Sequence, residues 1–505
     1  MNPSELSRRE WLKTSVAAGA AAFCGHRSST SARAADADAG AAIHITSRRE
    51  LFVDGFLIGK LDGARLKLHE PRLAGVALKF DQPWEGLFSA CPTVILDGAT
   101  YRMYYRGLPK SGVDGSENES TCYAESRDGI TWTKPNLGLF EAHGARDNNV
   151  VLRGSAPCSH NFSPFLDTRP GVPAAERFKA VGGSAKSGLI AFVSADGIRW
   201  RKLRDEPVFT KGAFDSQNLA FWSEAEQCYV LYFRTFTGGG ADAHTWQPKG
   251  LRTISRTVSK DFIHWEEPRP MTFSEPQEDH LYTNQTHPYF RAPHIYIALP
   301  MRFMPGRKVL SNAQAAALGV NMNYASDCAE TVFMTSRGGW HYDRTFMEGF
   351  IRPGTDPGNW VSRAGIAALG VVPTGPAEIS LYKQAHYAQP SGQLLRYTLR
   401  TDGFASVNAP YRGGELLTKP LKFTGKELVL NFSTGAAGGI RVEIQDVDGK
   451  PLPGFALADA TEIIGDEIER VATWKAGADV SKLAGRPVRL RFAMKDADLF
   501  SIRFR

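Results

Sequence analysis

Three arginines end strongly β-prone segments of this chain at similar places. These segments close with Tyr104-Tyr105-Arg106, Tyr232-Phe233-Arg234 and Pro300-Met301-Arg302. A guanidinium group binds a carboxylate or sulfate through two parallel hydrogen bonds. If the segments are equivalent strands, Arg106, Arg234 and Arg302 converge on one rim and favour an anionic ligand. The alternative left open is that each arginine bonds local carbonyl groups.

Three carboxylates are the candidate acid–base groups. They lie in Phe214-Asp215-Ser216-Gln217-Asn218, Trp84-Glu85-Gly86 and Ala377-Glu378-Ile379. A positioned carboxyl group donates a proton to a leaving group, and an ionised carboxylate acts as base or nucleophile. We predict Asp215 as the acid, with Glu85 or Glu378 as the base or nucleophile. For each, a salt bridge to one of the arginines is the alternative.

Two loops carry further candidate ligand contacts. Residues 279–287 are dense in polar and aromatic groups, and residues 352–360 are rich in proline and glycine. We predict that Tyr282 and His287 stack on or hydrogen bond a ligand, and that Trp360 is a stacking platform. A structural role for His287 and ordinary packing of Trp360 are the alternatives. No spacing of residues indicates a metal site or a cofactor.

A recurring turn motif organises the chain around these residues. Its copies are Ser126-Arg127-Asp128-Gly129-Ile130-Thr131-Trp132, Ser194-Ala195-Asp196-Gly197-Ile198-Arg199-Trp200 and Ser259-Lys260-Asp261-Phe262-Ile263-His264-Trp265, with weaker copies Ser336-Arg337-Gly338-Gly339-Trp340 and Thr401-Asp402-Gly403-Phe404. Asp-Gly favours a tight turn because glycine accepts positive φ and aspartate bonds its own backbone. A motif that recurs at a nearly constant spacing along the chain indicates a radial or solenoid array of repeats.

Each turn follows a β-prone run, which predicts the architecture. The runs are 101–106, 177–181, 229–236, 294–302 and 378–387. Five units of four short strands predict a five-bladed β-propeller over residues 35–410, with an edge or closing strand from residues 45–75. The repeat stops near residue 411, and residues 411–505 alternate as a separate C-terminal β-sandwich. The predicted fold class is therefore all-β.

The N-terminus has the pattern of an export signal. Ser7-Arg8-Arg9-Glu10-Trp11-Leu12-Lys13 precedes a short apolar run, and Ala32-Arg33-Ala34 fits a cleavage site. This resembles a twin-arginine signal over residues 1–34, which predicts a periplasmic or extracellular protein. An amphipathic N-terminal helix is the alternative. The apolar run is too short for a stable membrane span.

Charge and cysteine content narrow the classes of function. The formal net charge of +7 over 505 residues gives no reason to expect a nucleic-acid partner. Five cysteines follow the signal, widely spaced and odd in number, which disfavours a zinc site or a disulfide scaffold. We expect these five cysteines to serve as small, buried apolar side chains.

The five-fold repeat ending in Ser-x-Asp-Gly-x-x-Trp, followed by a sandwich, resembles the five-bladed glycosidase superfamily. Its members include glycoside hydrolase families 32, 43 and 68 and the mannoside phosphorylases of family 130, and the domain order is most similar to family 32. The resemblance implies an active site where the innermost strands begin. It also implies a nucleophile or base in blade one, an orienting aspartate in blade two and an acid in blade three.

The sequence departs from that pattern at two of the three positions. Cys91 stands where blade one would carry an aspartate, and Asn161 stands where blade two would carry one, whereas Asp215 falls near the expected acid. The leading hypothesis is an exported glycoside hydrolase-like protein acting on a poly- or oligosaccharide, with an anionic glycan favoured by the arginines. The alternatives are a non-catalytic carbohydrate-binding propeller and a glycoside phosphorylase-like enzyme.

Overall fold

The computed structural model describes residues 42–110, 115–241 and 246–505. Residues 42–505 form one compact unit. The predicted twin-arginine signal, residues 1–34, lies outside the described residues. The described chain is almost all β, which confirms the predicted fold class of propeller-type sheets followed by a sandwich.

Five strands precede the first repeat, and they serve two different parts of the fold. They are β1 Ile43–Thr46, β2 Arg49–Leu51, β3 Ile58–Asp62, β4 Arg65–Leu68 and β5 Arg72–Lys79. The first four pair with strands near the C-terminus, whereas β5 pairs with a strand of the last repeat.

Three sheets of four antiparallel strands follow in chain order, and we call them sets one to three. Set one contains β6 Ala90–Asp97, β7 Thr100–Gly107, β8 Ser120–Ser126 and β9 Val150–Arg153. Set two contains β10 Ser163–Leu166, β11 Phe178–Ser184, β12 Gly188–Ser194 and β13 Arg201–Lys202, with a short 3₁₀ helix at Ala174–Glu176. Set three contains β14 Leu219–Ser223, β15 Cys228–Phe236, β16 Arg252–Ser259 and β17 Arg269–Pro270.

Set four is divided into three small sheets. Its strands are β18 Thr272–Phe273, β19 His280–Leu281, β20 His287–Tyr289, β21 Ala292–Ala298, β22 Met301–Met304, β23 Cys328–Thr331, β24 Met334–Ser336 and β25 His341–Tyr342. Pro300, which lacks an amide hydrogen, separates β21 from β22 and interrupts the ladder. The connection from β22 to β23 carries helix α1, Asn312–Ala317, whose N-terminus is closed by Ser311 and Gln314, and a 3₁₀ turn at Met322–Tyr324.

Set five is completed by the N-terminal strand β5. It contains β26 Val372–Gly375, β27 Glu378–Ala385 and β28 Gln393–Arg400, preceded by a 3₁₀ turn at Pro357–Asn359. Strand β5 pairs antiparallel with β28, from Gln393 opposite Lys79 to Thr398 opposite Arg72. One end of the repeat array is therefore closed by a strand from the other end of the chain.

The first strands of the sets surround one central channel. Strand β6 contacts β10 and β26, and β14 contacts β10 and β20. The channel has a volume of about 410 Å³ and is lined by β6, β10, β14, β20 and the segment 369–373 that leads into β26. A parallel bridge between Thr93 and Leu369 joins set one to set five. The innermost strands thus share an axis, and their N-terminal ends face the same way.

The repeated turns join neighbouring sets. In the first copy, Ser126 Oγ accepts a hydrogen bond from the Gly129 amide (2.9 Å), and Asp128 Oδ1 accepts from the Thr131 amide (2.8 Å). Gly129 has φ of 69°, which a side chain would disfavour. The Tyr382 hydroxyl of set five donates to the Gly129 carbonyl. The turn chemistry read from the sequence therefore fixes the contact between sets.

The C-terminal sandwich is built from both ends of the described chain. Its later strands are β29 Ala405–Ala409, β30 Gly414–Thr418, β31 Leu421–Phe423, β32 Leu428–Gln445, β33 Asp466–Val471 and β34 Arg489–Phe504, with a 3₁₀ turn at Ser481–Leu483. Strands β1, β2, β3 and β4 pair with β31, β34, β30 and β29 respectively. Most of the segment 45–75 therefore belongs to the sandwich, and closing strand β5 begins at Arg72.

Within the described part of the chain, no helix has the length and apolar character needed to cross a bilayer. Cys91, Cys122, Cys228 and Cys328 are buried, Cys158 is partly buried, and none of the five is in a disulfide.

Candidate functional site

A small cavity lies where the innermost strands begin, and we call it the mouth. Its volume is about 20 Å³, and every set contributes to its wall. The lining residues are Ala90, Cys91, Arg106, Asn161, Asp215, Ser216, Gln217, Tyr282, Thr283, Arg363, Ile366 and Tyr387. Two of them, Arg106 and Arg363, are arginines, and one, Asp215, is a carboxylate. The mouth therefore brings Arg106, Asp215 and Tyr282 together, three residues singled out in the sequence.

Asp215 forms an ion pair with Arg234 directly behind the lining. Arg234 lies near the end of β15, and only 2% of its side chain is exposed. Burial lowers the pKa of Arg234 to about 10, so the guanidinium stays charged at neutral pH. The one lining carboxylate is thus held against a buried cation.

Three guanidinium groups surround the ring of Tyr282, and we call them the arginine cage. The distances from the guanidinium carbon to the ring centroid are 4.9 Å for Arg234, 5.4 Å for Arg252 and 5.4 Å for Arg363. No carboxylate among the described residues lies within 4.0 Å of Arg252 or Arg363. The cage therefore carries three positive charges, and within the part of the chain that the structure describes Asp215 is its one ion-pair partner.

A chain of hydrogen bonds orients Asn161. Glu119 accepts from His160 Nδ1 (2.8 Å), and His160 Nε2 accepts from the Asn161 amide nitrogen (2.9 Å). The Asn161 Oδ1 then accepts from Arg106 Nη1 (2.8 Å) and from the Cys91 thiol (3.2 Å). All of these groups are buried. Glu119 and His160 fix the amide so that its oxygen faces Arg106 at the mouth.

Two glutamines close the mouth from the channel behind it. Gln217 Nε2 donates to Thr93 Oγ1 (2.8 Å), and Gln285 Nε2 donates to Gln217 Oε1 (2.6 Å) and to the Ala367 carbonyl (2.9 Å). Sets one, three, four and five are joined by this layer. Lys383 of β27 bridges to Ala367, is fully buried, and its pKa is lowered to about 8 by burial.

Glu85 lies outside the mouth in a buried polar cluster of set one. Its side chain is 0% exposed. It accepts hydrogen bonds from the Tyr105 hydroxyl (2.5 Å), the Gln82 amide (3.0 Å) and Lys134 Nζ (2.7 Å). Its immediate partners are therefore a lysine and a tyrosine of the same set.

Glu378 and Arg302 also lie outside the mouth. Glu378 begins β27, which is the second strand of set five, and β26 is the innermost strand. Since β27 runs toward Tyr387, Glu378 stands at the opposite end of the strand, where it pairs with Arg396. Arg302 Nε donates to Glu330 (3.0 Å) and its Nη1 to the Met347 carbonyl (2.7 Å).

His287 and Trp360 face other surroundings. His287 lines the central channel on the far side of the glutamine layer, and its Nδ1 donates to the Gln285 carbonyl (3.0 Å). Burial lowers the pKa of His287 to about 4, so the ring is neutral at pH 7. Trp360 Nε1 donates to the Gly354 carbonyl (2.8 Å), and the ring packs against a small apolar cluster that includes Leu310 and Val320.

Three residues at the mouth or in the arginine cage were not predicted as site residues: Arg252, Arg363 and Tyr387. Arg363 has φ of 63° and follows the Pro/Gly-rich loop, and Tyr324 from the segment after α1 lies 5.0 Å from its guanidinium carbon. Arg252 lies at the start of β16, paired with the end of β15. Antiparallel pairing places the start of β16 beside Arg234, and this is the signal that would have found Arg252.

The fold and the mouth define an all-β, propeller-type protein with a cationic opening at the axis. No protein-family model matches the chain. Two curated proteins from Mycobacterium tuberculosis strains, the uncharacterized proteins Rv1502 and MT1551, are each 29% identical over 147 residues. That match covers 28% of this chain and 44% of each relative, less than half of the relatives' length.

Similar solved structures include a glycoside hydrolase with a TM-score of 0.44 and 13% identity, covering 66% of this chain and 92% of that chain. A family 43 arabinoxylan arabinofuranohydrolase from Bacillus subtilis, in complex with cellotetraose, has a TM-score of 0.39 and 12% identity over 84% of this chain and 97% of its own. A structure from the GH130 family of mannoside phosphorylases has a TM-score of 0.34 and 14% identity, over 67% and 94%.

Proposed function

We propose that this protein is an exported, glycoside hydrolase-like protein that binds an anionic poly- or oligosaccharide at the mouth. In this proposal, sets one to five are the blades of a five-bladed propeller. Asp215 is the carboxyl group available for chemistry on the bound sugar. Arg106 and Arg363, which line the cavity, hold the anionic group, and Arg234 adds positive charge behind them.

The charge balance of the mouth is the observation that carries the proposal. Arg106 and Arg363 line the cavity, Arg234 and Arg252 lie around Tyr282, and among the described residues Asp215 is the one carboxylate in the lining. Burial makes unbalanced charge costly, so a site that keeps several guanidinium groups at an opening is expected to take an anion. Uronic acids and sulfated sugars carry such groups.

Aromatic rings at the mouth fit a sugar ligand. Tyr282 and Tyr387 line the cavity, and Tyr324 packs edge-on against Tyr387 with 5.3 Å between ring centroids. Aromatic side chains with a few convergent polar groups are typical of small-molecule sites. The cavity itself is about 20 Å³, so a glycan would lie across the opening with one group inserted.

The single carboxylate also supports a second candidate, the carbohydrate-binding propeller without catalysis. Hydrolysis of a glycosidic bond ordinarily uses two carboxyl groups flanking the bond. Asp215 is the one carboxyl group among the described lining residues, and it forms an ion pair with Arg234. A phosphorylase-like enzyme needs one carboxyl group plus a phosphate site, for which the arginine cage is suited.

A glycan panel separates these candidates. The mature protein is incubated with acidic and neutral oligosaccharides, with and without inorganic phosphate, while binding and new reducing ends are measured. We expect binding of acidic glycans only, and Arg363→Met weakens it at least 10-fold while Arg302→Met, outside the mouth, leaves it unchanged. The anionic site would be refuted if both variants, Arg363→Met and Arg302→Met, bound neutral and acidic glycans equally well.

Export rests on residues 1–34 alone and has its own test. We expect a reporter fused after residue 34 to leave the cytoplasm of a bacterium that has the twin-arginine system. Arg8→Lys with Arg9→Lys retains it inside, because that system reads the arginine pair. Export that is unchanged by both substitutions contradicts the signal assignment.

A further inference from the structure

We infer that the mouth cleaves a polyuronate by β-elimination, with Tyr282 as the group that moves the proton. This rests on the proposed function, since it takes the anionic ligand of the mouth to be a uronic acid. The observation behind it is a tyrosine surrounded by three guanidinium groups at a site where the described lining residues include a single carboxylate.

Elimination next to a uronate carboxylate makes demands that differ from those of hydrolysis. The proton on C5 becomes removable when the carboxylate is neutralised, because negative charge develops on that group as the proton leaves. A base must take the proton, and an acid must protonate the departing O4. A second carboxylate is not required.

Arg363 is placed to neutralise the substrate carboxylate. It lines the mouth and has no carboxylate within 4.0 Å among the described residues. The rings of Tyr282, Tyr324 and Tyr387 surround its guanidinium at 5.4, 5.0 and 5.9 Å, which fixes its plane. Arg106, with Asn161 held in place behind it, offers a second contact to the same anion.

Tyr282 is the phenol best suited to act as the base. Three guanidinium groups lie around its ring, with their carbons 4.9, 5.4 and 5.4 Å from the ring centroid, and positive charge at this range attracts the negative charge that a base carries. Burial raises the pKa of the other lining tyrosine, Tyr387. Asp215 is held in its ion pair with Arg234, which leaves the phenol as the proton donor to O4.

The step is balanced without any co-reactant. The Tyr282 phenolate takes the proton from C5, and the C5–H electron pair forms the C4=C5 double bond. The C4–O4 bond breaks, and the O4 alkoxide takes a proton from the Tyr282 hydroxyl, which restores the phenolate. No water is consumed, and nothing is oxidised or reduced.

This step is tested by incubating the protein with polyuronates in water labelled with heavy oxygen and analysing the products. Polygalacturonate, alginate and a glucuronan are the probes, read by the ultraviolet absorbance of the conjugated double bond and by mass spectrometry. We expect unsaturated products without heavy oxygen. Tyr282→Phe lowers the rate about 100- to 10,000-fold, the range of proton-transfer catalysis, and keeps the affinity for polyuronate within about 3-fold.

Tyr397→Phe is the matched control, since Tyr397 is buried on β28 away from the mouth, and it keeps full activity. Thermal unfolding of each variant establishes that it is folded. Saturated products carrying heavy oxygen overturn the elimination and leave the proposed function standing, as does binding without cleavage. Failure to bind any polyuronate overturns the uronate assignment, and failure to bind any acidic glycan overturns the proposed function itself.

Discussion

Lys383→Met is expected to stabilise the protein at neutral pH and to remove part of the pH dependence of its stability. Lys383 is fully buried on β27 beneath the mouth, with Nζ not hydrogen bonded to any described residue. Burial disfavours its charged form, and the nearby Asp356 opposes this only in part. Methionine fills a similar volume without a charge.

The size of the effect follows from the pKa of the buried amine. That pKa is about 8, against 10.5 for an unperturbed lysine. The difference of about 2.5 units corresponds to about 3 kcal/mol, at 1.36 kcal/mol per unit. Between pH 8 and 10.5 the unfolded chain binds the proton more strongly. The free energy of unfolding therefore rises with pH through that window, and the full penalty applies below pH 8.

Urea denaturation at pH 7, 8, 9 and 10 measures this difference. Lys383→Met should be up to about 3 kcal/mol more stable than the native protein at pH 7, and the gap should narrow as the pH rises. Lys186→Met, at an exposed position between β11 and β12, is the control and should track the native protein. Parallel curves for the native protein and Lys383→Met would show that Lys383 is not the titrating group.

Three further predictions concern the acids and the cage. Glu85→Gln should lower the free energy of unfolding by about 3 kcal/mol, because Lys134 loses a buried partner. The affinity for glycans should not change. Loss of affinity in a folded variant would place Glu85 at the ligand. Asp215→Asn frees Arg234 and should tighten acidic-glycan binding in titration calorimetry while abolishing any hydrolysis; weaker binding would mean that Asp215 itself contacts the sugar. The defect of Arg363→Met should shrink as salt rises toward about 1 M, where charges are screened beyond about 3 Å; a salt-independent defect would point to packing.

Much of the fold follows from local sequence chemistry. The Ser126–Asp128–Gly129 turn closes on its own atoms, and the second strands, such as β7 and β15, are long and uniformly β-prone. Innermost strands are harder to find because β20 has three residues and β26 has four, too few for an alternating pattern to show.

The candidate site was predictable only where strand direction decides the outcome. Arg106 and Arg234 reach one opening because their strands are equivalent and end at the same side. The surroundings of Glu85 depend on Lys134, which is 49 residues away in the chain, and no local sequence pattern indicates that pairing. Ion pairs between distant segments are set by tertiary packing, which a single sequence does not display.

The pairing of β5 with β28 has a consequence for synthesis of the chain. Strand β5 emerges from the ribosome early, yet its partner follows roughly 300 residues later, which is about 15 to 60 s at ordinary translation rates. During that interval its unpaired backbone edge is open to wrong partners. The nascent chain therefore exposes this edge until its last repeat appears, and a product truncated before Gln393 would lack the strand that pairs with β5.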